Sequence, residues 1–303
     1  MISRDEVRRA LTGPVASIHV MFTRDGEIDY RGLKDQIDFV VENGSGSVIL
    51  TWGDSLFTVL TDSEVGEVTK KVSEFTAGRA MVVASCRSWW TGKTLEFTRH
   101  ARDVGADIIM LRPPDWADSA TVETMVDHYA VVAREMPVMV LALAFGRSTT
   151  FALKVIERIY DSVDGVMAVK DDICGEFGRK MAAMMYDNWA VYAGGQKQNH
   201  LNLVPFGVDG FMSTFIKFKP SVAHEYWKAV QEKNMDRAGA VIRDHEMPFF
   251  DYIVGLEGGF AAGLYAALEL RGIGRRWRRK PYYDLSDAEL EQMRSLMTSK
   301  GRL

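Results

Sequence analysis

The sequence predicts an α/β protein that folds as a closed (β/α)8 TIM barrel with an additional C-terminal helical segment. Two observations support this fold class. From residue 14 onward, eight short apolar runs alternate with eight longer amphipathic segments, with no signal for an antiparallel hairpin between them. A glycine at the end of an amphipathic segment also leads repeatedly into the next apolar run, as in residues 42–50, 103–111 and 205–213.

The eight predicted strands are short runs of mainly aliphatic and β-branched residues. They cover residues 14–22, 46–52, 79–86, 106–114, 137–145, 163–172, 189–195 and 208–215. Each is followed by a segment with helical spacing, and the first such segment places Leu33, Ile37 and Val40 on one face. The predicted helices cover residues 29–44, 61–78, 91–105, 120–136, 149–162, 176–188, 197–207 and 219–233. The second helix begins with Thr61 and Glu64 at capping-box spacing.

A doubly wound parallel sheet is the alternative fold. It ranks second because no GxGxxG motif follows the first strand, and the glycine-rich residues 255–263 come after all the strands. Residues 1–233 are therefore predicted to form the barrel. Residues 234–303 are predicted to form three helices packed on or beside it in the same domain, because no linker separates the two parts. The basic segment 271–284 is predicted to be a solvated loop or a subunit contact.

Composition excludes several classes of protein. A chain of 303 residues that is 47% hydrophobic can bury a full core, and a net charge of -4 provides no basic field for nucleic acid. Cys86 and Cys174 form no CxxC or Cys/His cluster, which argues against a disulfide framework or a zinc site. No apolar stretch approaches the ~20 residues of a membrane span, and the N-terminus lacks a signal-peptide core. We therefore expect a cytoplasmic protein without membrane or nucleic-acid partners.

The stretch with the clearest chemistry is VMAVKDD, residues 166–172. Active sites of such barrels lie at the carboxyl ends of the strands, and this places Lys170 on the catalytic face. An amine at the mouth of an apolar barrel loses part of its solvation, which lowers its pKa and frees its lone pair to attack a carbonyl. The alternative is a strand-end lysine that reaches solvent and titrates normally.

The other strand ends supply further candidates for the rim of the site. They are His19, Phe22, Thr51, Trp52, Asp54, Arg87, Ser88, Trp89, Arg112, Asp115, Trp116, Leu141, Phe145, Arg147, Asp171, Asp172, Gly194, Gly195, Lys197, Ser213, Thr214 and Lys217. Trp52, Trp89, Trp90 and Trp116 are predicted either to line a wall for a larger or aromatic substrate or to pack loops under the C-terminal helices. Lys197 and Lys217 either bind an anionic substrate, lower the pKa of Lys170 by like charge, or are solvated loop lysines.

Eight short motifs occur in the order and spacing of one known family. They are FTRDGEIDYRGL (22–33), LTDSE (60–64), ARDVGADIIMLRPP (101–114), MPVMV (136–140), GVMAVKDD (165–172), YAGG (192–195), GVDGFMS (207–213) and DLSDAEL (284–290). Over nearly its whole length the chain thus resembles the dihydrodipicolinate synthase and N-acetylneuraminate lyase superfamily of class I aldolases, as a divergent member.

The resemblance implies that Lys170 forms a Schiff base with a 2-oxo acid, often pyruvate or a 2-keto-3-deoxy sugar acid. The imine then serves as an electron sink for cleaving or forming a carbon-carbon bond, or for losing water. The covalent lysine imine is the only cofactor-like group implied, and no metal is expected. Arg147 matches the family arginine that contacts a substrate carboxylate, although a solvent-exposed loop arginine is an equal alternative. The resemblance also implies a homo-oligomer, either a tetramer or a dimer.

The chain departs from the family at several positions. The motif usually written GTTGE appears as TWGDS (residues 51–55), the strand-five tyrosine falls at Leu141, and the tyrosine pair after strand four is replaced by Asp115 and Trp116. Authentic dihydrodipicolinate synthesis is therefore not expected. Further substrate-binding residues are predicted as a set: Thr51, Trp52, Gly53, Gly194, Met212 and Trp116.

Imine chemistry still requires proton transfer by a group within hydrogen-bond reach. His19 and Asp54 are the predicted catalytic residues beside Lys170, and Asp115 or a carboxylate of the substrate is a further candidate. The alternatives are a satisfied core histidine for His19 and a turn-forming role for Asp54.

Three functional hypotheses follow from these observations. The first is a Schiff-base lyase, an aldolase or dehydratase acting on a 2-oxo acid. The second is a catalytically silent barrel that binds a keto acid or related ligand, favoured by the missing tyrosine. The third, a metal-dependent lyase using Asp171 and Asp172, is weaker, because adjacent strand residues point to opposite faces.

Overall fold

Eight parallel strands close into a barrel in sequence order, with β8 beside β1. The structure is a computed structural model that describes residues 2–112, 114–115, 117–142 and 148–299. The strands are β1 (Gly13–Ser17), β2 (Ser47–Ile49), β3 (Met81–Ser85), β4 (Ile108–Leu111), β5 (Val138–Leu141), β6 (Val166–Asp171), β7 (Ala190–Ala193) and β8 (Gly210–Met212). The predicted (β/α)8 barrel is confirmed.

Helices alternate with these strands and surround the barrel. They are α1 (Arg4–Leu11), α2 (Tyr30–Glu42), α3 (Asp62–Thr76), α4 (Thr91–Asp103), α5 (Val122–Ala133), α6 (Thr149–Ser162), α7 (Gly175–Met185), α8 (Gln196–Leu203) and α9 (Pro220–Gln231). The C-terminal segment adds α10 (Met235–Val241), α11 (Met247–Val254), α12 (Gly259–Leu270) and α13 (Asp287–Ser299).

Local signals set several helix ends as predicted. Thr61 and Glu64 form the predicted capping box at the start of α3. Gly44 and Gly105 have φ values of +88° and +93°, and glycine reaches this left-handed region without the steric penalty of a Cβ. These two glycines therefore end α2 and α4 and turn the chain toward the next strand.

Side-chain alternation divides the barrel into two apolar layers. Val15, Met110, Met139, Ala168 and Tyr192 belong to the cluster that fills the interior. The intervening strand residues belong to the larger cluster between the barrel and its helices. Residues two positions before or after one of these interior residues on the same strand therefore also point to the inner face of the barrel.

The first strand is shorter than its apolar run predicts. Ile18 donates its N–H to the carbonyl of Ile49, and β2 ends at that residue. Since no further strand partner follows Ile49, the chain leaves the sheet after Ser17 although residues 18–22 remain buried. Apolar sequence alone does not mark where the ladder ends.

The C-terminal segment packs against the loop that follows β1. A π-helical turn, Ile242–Glu246, joins α10 to α11, so residues 235–254 form one helical stretch and the segment has three such stretches, as predicted. The Tyr265 hydroxyl donates to the carbonyl of Val20 at 2.7 Å, and Arg279 Nε donates to that of Gly26 at 2.7 Å. The assignment of this segment to the barrel domain stays a prediction.

The basic segment between α12 and α13 is more buried than predicted. Arg276 pairs with Glu269 at 2.7 Å and with Asp287, and Arg278 pairs with Asp284 at 3.3 Å. Both arginine side chains are almost fully enclosed. The solvated-loop interpretation is therefore wrong for these two residues, because carboxylates brought in by the fold neutralise them.

Within the described ranges, no single helix is both long and apolar enough to span a membrane. The helical stretches 235–254 and 259–270, which meet at a sharp bend, reach the length and apolar composition of a membrane span only when they are counted together.

Candidate active site

Lys170 lies on the inner face of β6, at its carboxyl end. Its strand neighbours in register are Leu141 on β5 and Tyr192 on β7. The residue is only 4% exposed, and its Nζ forms an ion pair with the carboxylate of Asp172, two positions further along the same face. The structure therefore places an amine and a carboxylate together at the mouth of the barrel, which is formed by the carboxyl ends of the strands.

Asp171 points away from this site. Its carboxylate accepts hydrogen bonds from the N–H groups of Ile173 and Cys174 at 3.1 and 3.0 Å, and from Asn199 Nδ2 at 3.0 Å. Asp171 and Asp172 thus face opposite sides of the strand, as alternation predicts. Among the described residues, no group of three His, Cys, Asp or Glu side chains is arranged to hold a metal ion.

Gly194, at the end of β7, packs directly against the Lys170–Asp172 pair. Its N–H donates to the carbonyl of Asp171 at 2.7 Å. A Cβ at this position would lie 1.6 Å from Asp172 Oδ1, far inside van der Waals contact. Glycine is therefore required here if the Asp172 carboxylate is to lie beside Lys170.

A tight turn after β2, residues 51–56, presents Asp54 to the mouth. The hydroxyl of Thr51 accepts from the Asp54 N–H at 2.9 Å, and the Thr51 N–H donates to Ser55 Oγ at 2.9 Å. Across the described residues, the N–H groups of Trp52 and Gly53 donate to no acceptor. The turn thus offers two free amide donors next to an acidic side chain.

Asp54 belongs to a chain of three hydrogen-bonding side chains from three different elements. Lys217, in the 3-10 turn Phe215–Lys217 after β8, donates from Nζ to Ser17 Oγ at 2.9 Å, and its Nζ lies 3.7 Å from Asp54 Oδ2. The hydroxyl of Ser17, the last residue of β1, donates in turn to Asp54 Oδ2. Sequence reasoning named Asp54 and Lys217 separately and missed Ser17.

Burial and charge shift the pKa values of this chain. Burial lowers the pKa of Lys217 to about 8, although the neighbouring Asp54 carboxylate opposes the change. Burial alone would raise the pKa of Asp54, but Lys217, His19, the Ser17 hydrogen bond and Lys170 together hold it at about 2. Asp54 is therefore ionised at neutral pH, and Lys217 carries most of a positive charge.

His19 lies beside this chain but is covered by the C-terminal segment. Its ring packs edge-on against Tyr265 with centroids 5.1 Å apart, and its backbone N–H donates to Gln36 Oε1 at 2.7 Å. Burial, followed by the positive charge of Lys217, lowers the pKa of His19 to about 3. The imidazole is therefore neutral at physiological pH.

Tyr192 is a buried tyrosine on the opposite side of Lys170 from Leu141. Its hydroxyl lies 3.4 Å from the carbonyl of Val15, across the barrel interior. Burial raises its pKa well above the usual value, with smaller contributions from Asp172 and Asp54. A phenol therefore lies near Lys170 although the strand-five position holds leucine.

The remaining predicted residues lie in different places. Met212 is on the inner face of β8, paired with Val15, and Trp52 is 38% exposed at the mouth. Trp89 and Trp90 line a groove of about 550 Å³ between α3 and α4, so the predicted aromatic wall does not include them. Arg147 and Trp116, both predicted to bind substrate, lie outside the described residues.

Lys197 is a structural lysine. Its Nζ pairs with Glu246 at 3.0 Å, both side chains are fully enclosed, and the ammonium lies 4.4 Å from the centre of the Phe215 ring. The substrate-binding alternative considered for Lys197 is therefore wrong, because its charge is already neutralised inside the helical layer.

A larger cavity, of about 760 Å³, lies away from Lys170. It is enclosed by residues 24–27 and by the segments 276–280 and 284–287. The size of this cavity does not identify the site, because Arg276, Arg278 and Arg279 in its lining are already held in ion pairs. Titratable groups converge instead at the barrel mouth.

Comparison with known proteins agrees with this geometry. The model of the dihydrodipicolinate synthetase family matches residues 10–300. An uncharacterized DapA-like lyase from Thermococcus onnurineus (strain NA1) is 24% identical over 299 residues, which cover 95% of this chain and 98% of the relative.

Two solved structures show the same fold. Dihydrodipicolinate synthase from Oceanobacillus iheyensis superposes with a TM-score of 0.86 at 23% identity, covering 99% of this chain and 100% of the other. YagE, a prophage protein from E. coli K12 of the dihydrodipicolinic acid synthase family, solved in complex with pyruvate, gives a TM-score of 0.79 at 19% identity, covering 96% and 99%. The chain belongs to the dihydrodipicolinate synthetase family.

Proposed function

We propose that this protein is a Schiff-base-forming lyase, an aldolase or dehydratase, that acts on a 2-oxo acid such as pyruvate or a 2-keto-3-deoxy sugar acid. The observation that supports this proposal most strongly is the position of Lys170, an almost fully buried amine paired with Asp172 at the carboxyl end of β6. Family membership and the pyruvate complex of YagE point to the same chemistry.

In this proposal Lys170 is the nucleophile and Asp172 takes part in its activation. Asp172 accepts a proton from the Lys170 ammonium, and the free amine attacks the C2 carbonyl of the oxo acid. Asp172 then returns this proton to the hydroxyl of the carbinolamine, which leaves as water and gives a protonated imine whose positive charge lies next to the regenerated Asp172 carboxylate. The pair thus supplies both the lone pair and a counter-charge.

The turn after β2 provides a place for the carboxylate of the substrate. The free N–H groups of Trp52 and Gly53 are suited to bind an anion, and a Cβ added at Gly53 would meet no atom within 4 Å. We propose that these two amides bind the C1 carboxylate and that Thr51 holds the turn in shape.

Asp54 is the proposed acid-base group for the carbon next to the imine. It lies on the same turn, its side chain is about one quarter exposed, and only its Oδ2 is tied to Ser17. Oδ1 is therefore available to take a proton from C3 of the imine, leaving an enamine, and to return it. Among the proposed catalytic residues Lys170, Asp54 and His19, the role of His19 is the weakest proposal, because its imidazole is neutral and covered by the C-terminal segment.

A catalytically silent barrel that binds a keto acid is the second candidate. Leu141 favours it, because this residue lies beside Lys170 where the family places a proton-transferring tyrosine. Authentic dihydrodipicolinate synthesis is not proposed for the same reason. Cytoplasmic location and a homo-oligomeric state remain predictions.

The test is reduction with borohydride in the presence of pyruvate, read by intact-mass spectrometry. We expect a single adduct on the wild-type protein and none on Lys170→Met. Lys180→Met is a matched control, because Lys180 is an exposed lysine on α7 that pairs with Glu176 on the same helix. Absence of an adduct on folded wild-type protein with pyruvate and a panel of longer 2-oxo acids would overturn the lyase proposal.

A further inference from the structure

Arg112 stands apart from the other arginines near the barrel mouth. It follows β4 directly, and its guanidinium lies 4.3 Å from the centre of the Trp52 ring. Throughout the described chain its guanidinium forms no hydrogen bond and no ion pair. By contrast, Arg87 donates to the carbonyls of Phe57 and Leu60, and Arg279 pairs with Glu64 at 2.7 Å.

Strand register places Arg112 in the same layer as Lys170. Leu111 pairs with Val140, so Arg112 is level with Leu141, which pairs with Lys170. Met110 lies on the inner face, and alternation gives the same direction to Arg112. Two strand spacings separate Arg112 from Lys170, a Cα separation of about 10 Å.

An unpaired guanidinium at this distance is suited to a bound carboxylate. Arg112 is half-buried, and burial lowers its pKa from the ordinary value, as expected for a cation that lacks a carboxylate partner. Stacking on Trp52 orients the plane of the guanidinium but leaves its N–H donors free. The fork of donors matches the two oxygens of a carboxylate.

We propose that Arg112 binds a carboxylate of the oxo acid held on Lys170. This inference rests on the proposed function, because it takes the ligand from the imine chemistry. The carboxylate is either the C1 group, shared with the amides of Trp52 and Gly53, or a second acidic group at the far end of a dicarboxylic oxo acid. Arg112 thereby sets a preference for anionic substrates.

The experiment measures the ligand concentration that gives half-maximal borohydride adduct. Pyruvate, methyl pyruvate and 2-oxoglutarate are compared on wild type, Arg112→Gln and Arg112→Lys. We expect Arg112→Gln to raise the half-maximal concentration of an anionic oxo acid about 10- to 100-fold, as for loss of a charged hydrogen bond. The half-maximal concentration of the uncharged ester should change less than about 3-fold in Arg112→Gln. For the anionic oxo acids, Arg112→Lys should give half-maximal concentrations between those of wild type and Arg112→Gln, because lysine keeps the positive charge but lacks the forked pair of donors.

Arg24→Gln is the matched control. Arg24 also lies over a tryptophan ring, that of Trp277 at 5.2 Å, on the loop that follows β1, but it is exposed and away from Lys170. We expect this variant to behave as wild type with all three ligands.

Each outcome has a defined meaning. Weaker capture of pyruvate by Arg112→Gln would show that Arg112 binds the C1 carboxylate. Weaker capture of 2-oxoglutarate alone would show that Arg112 binds the carboxylate at the far end of the ligand. Equal losses for the acids and the ester would mean that Arg112 only supports Trp52, and would overturn the proposal, as would no loss at all. If wild type forms no adduct, the proposed function fails first and this inference fails with it.

Discussion

Two buried lysine-aspartate pairs face each other across the barrel mouth, and they differ in how they are built. Lys170 lies on β6 and Asp172 follows directly after that strand, and among the described residues Lys170 forms an ion pair with Asp172 alone. Lys217 follows β8 and Asp54 follows β2, and Ser17 bridges the two side chains.

The difference indicates a division of roles. Within the part of the chain that the structure describes, Asp172 is the one hydrogen-bond partner of the Lys170 Nζ, so the amine has further donors available for a ligand. Lys217 is fully enclosed and its Nζ already contacts the Ser17 hydroxyl and the Asp54 carboxylate. Lys170 is thus suited to capture a carbonyl. Lys217 is suited to hold Asp54 ionised and oriented for proton transfer.

Asp54→Asn should separate proton transfer from imine formation. The variant keeps Lys170 and Asp172, so the borohydride adduct with pyruvate should still form. Exchange of the C3 protons of pyruvate with D2O, followed by proton NMR, should fall about 100-fold or more, the usual contribution of a general base. Unchanged exchange in a folded variant would exclude Asp54 as the proton-transfer group.

Gly194→Ala should weaken the Lys170–Asp172 pair and leave the other pair intact. The added Cβ would lie 1.6 Å from Asp172 Oδ1 and 2.6 Å from the backbone carbonyl oxygen of Asp171, so the carboxylate must move away and the end of β6 must shift slightly. We expect the rate of adduct formation to fall about 10-fold, as for loss of one charged hydrogen bond.

The matched control for this glycine is Gly239→Ala on α10. A Cβ at that position meets nothing within 4 Å, so both rate and stability should be unchanged or slightly improved. An equal fall in the rate of adduct formation in both variants would show that the effect of Gly194→Ala does not arise from displacement of Asp172.

Lys217 should titrate far below an ordinary lysine. Its 13Cε resonance, assigned by its loss in Lys217→Met, should shift with an inflection near the pKa of about 8. Because Asp54 raises this pKa against the effect of burial, Asp54→Asn should move the inflection to lower pH. An inflection above pH 10 in the folded protein would contradict the described contacts.

The same shift has a consequence for stability. An unfolded lysine titrates near 10.4, so between pH 8 and that value the unfolded chain binds more protons at Lys217 than the folded chain. Lys217 therefore makes the free energy of unfolding increase as pH rises through this window. Lys217→Met should remove that increase, which urea titrations at pH 8 and pH 10 can measure.

His19→Gln should have the smallest effect of the set. The ring of His19 is neutral at working pH, is a weak base with a pKa of about 3, and lies under Tyr265, so it is poorly suited to exchange a proton with the substrate. We expect C3 exchange to change less than about 5-fold, below the usual contribution of an acid-base catalyst. A loss comparable to that of Asp54→Asn would instead support the predicted catalytic role of His19.

Sequence predicted the barrel and the position of Lys170 at its mouth because both depend on local patterns, and it named Asp172 as a rim residue without pairing it to Lys170. The alternation of apolar runs and helical segments is visible residue by residue, and a lysine two positions before an aspartate on a strand shares its face. The same alternation correctly predicted that Asp171 and Asp172 point to opposite faces, although Asp171 was also named among the rim candidates.

The other pair could not be predicted in the same way. Ser17 and Asp54 are 37 residues apart, and Ser17 and Lys217 are 200 apart, so their contact depends on barrel closure and register. Ser17 also carries no motif that marks it in the sequence. The ion pair of Arg279 in the basic segment was missed for the same reason, since its partner Glu64 lies 215 residues away in the sequence.

The central claim is that Lys170, and not Lys217, carries the imine. Peptide mapping by mass spectrometry of wild-type protein reduced with borohydride and 13C-labelled pyruvate tests this claim most directly. We expect the label on the peptide that contains Lys170 and none on the peptide that contains Lys217. Label on Lys217, or on both lysines in equal amounts, would contradict the division of roles between the two pairs.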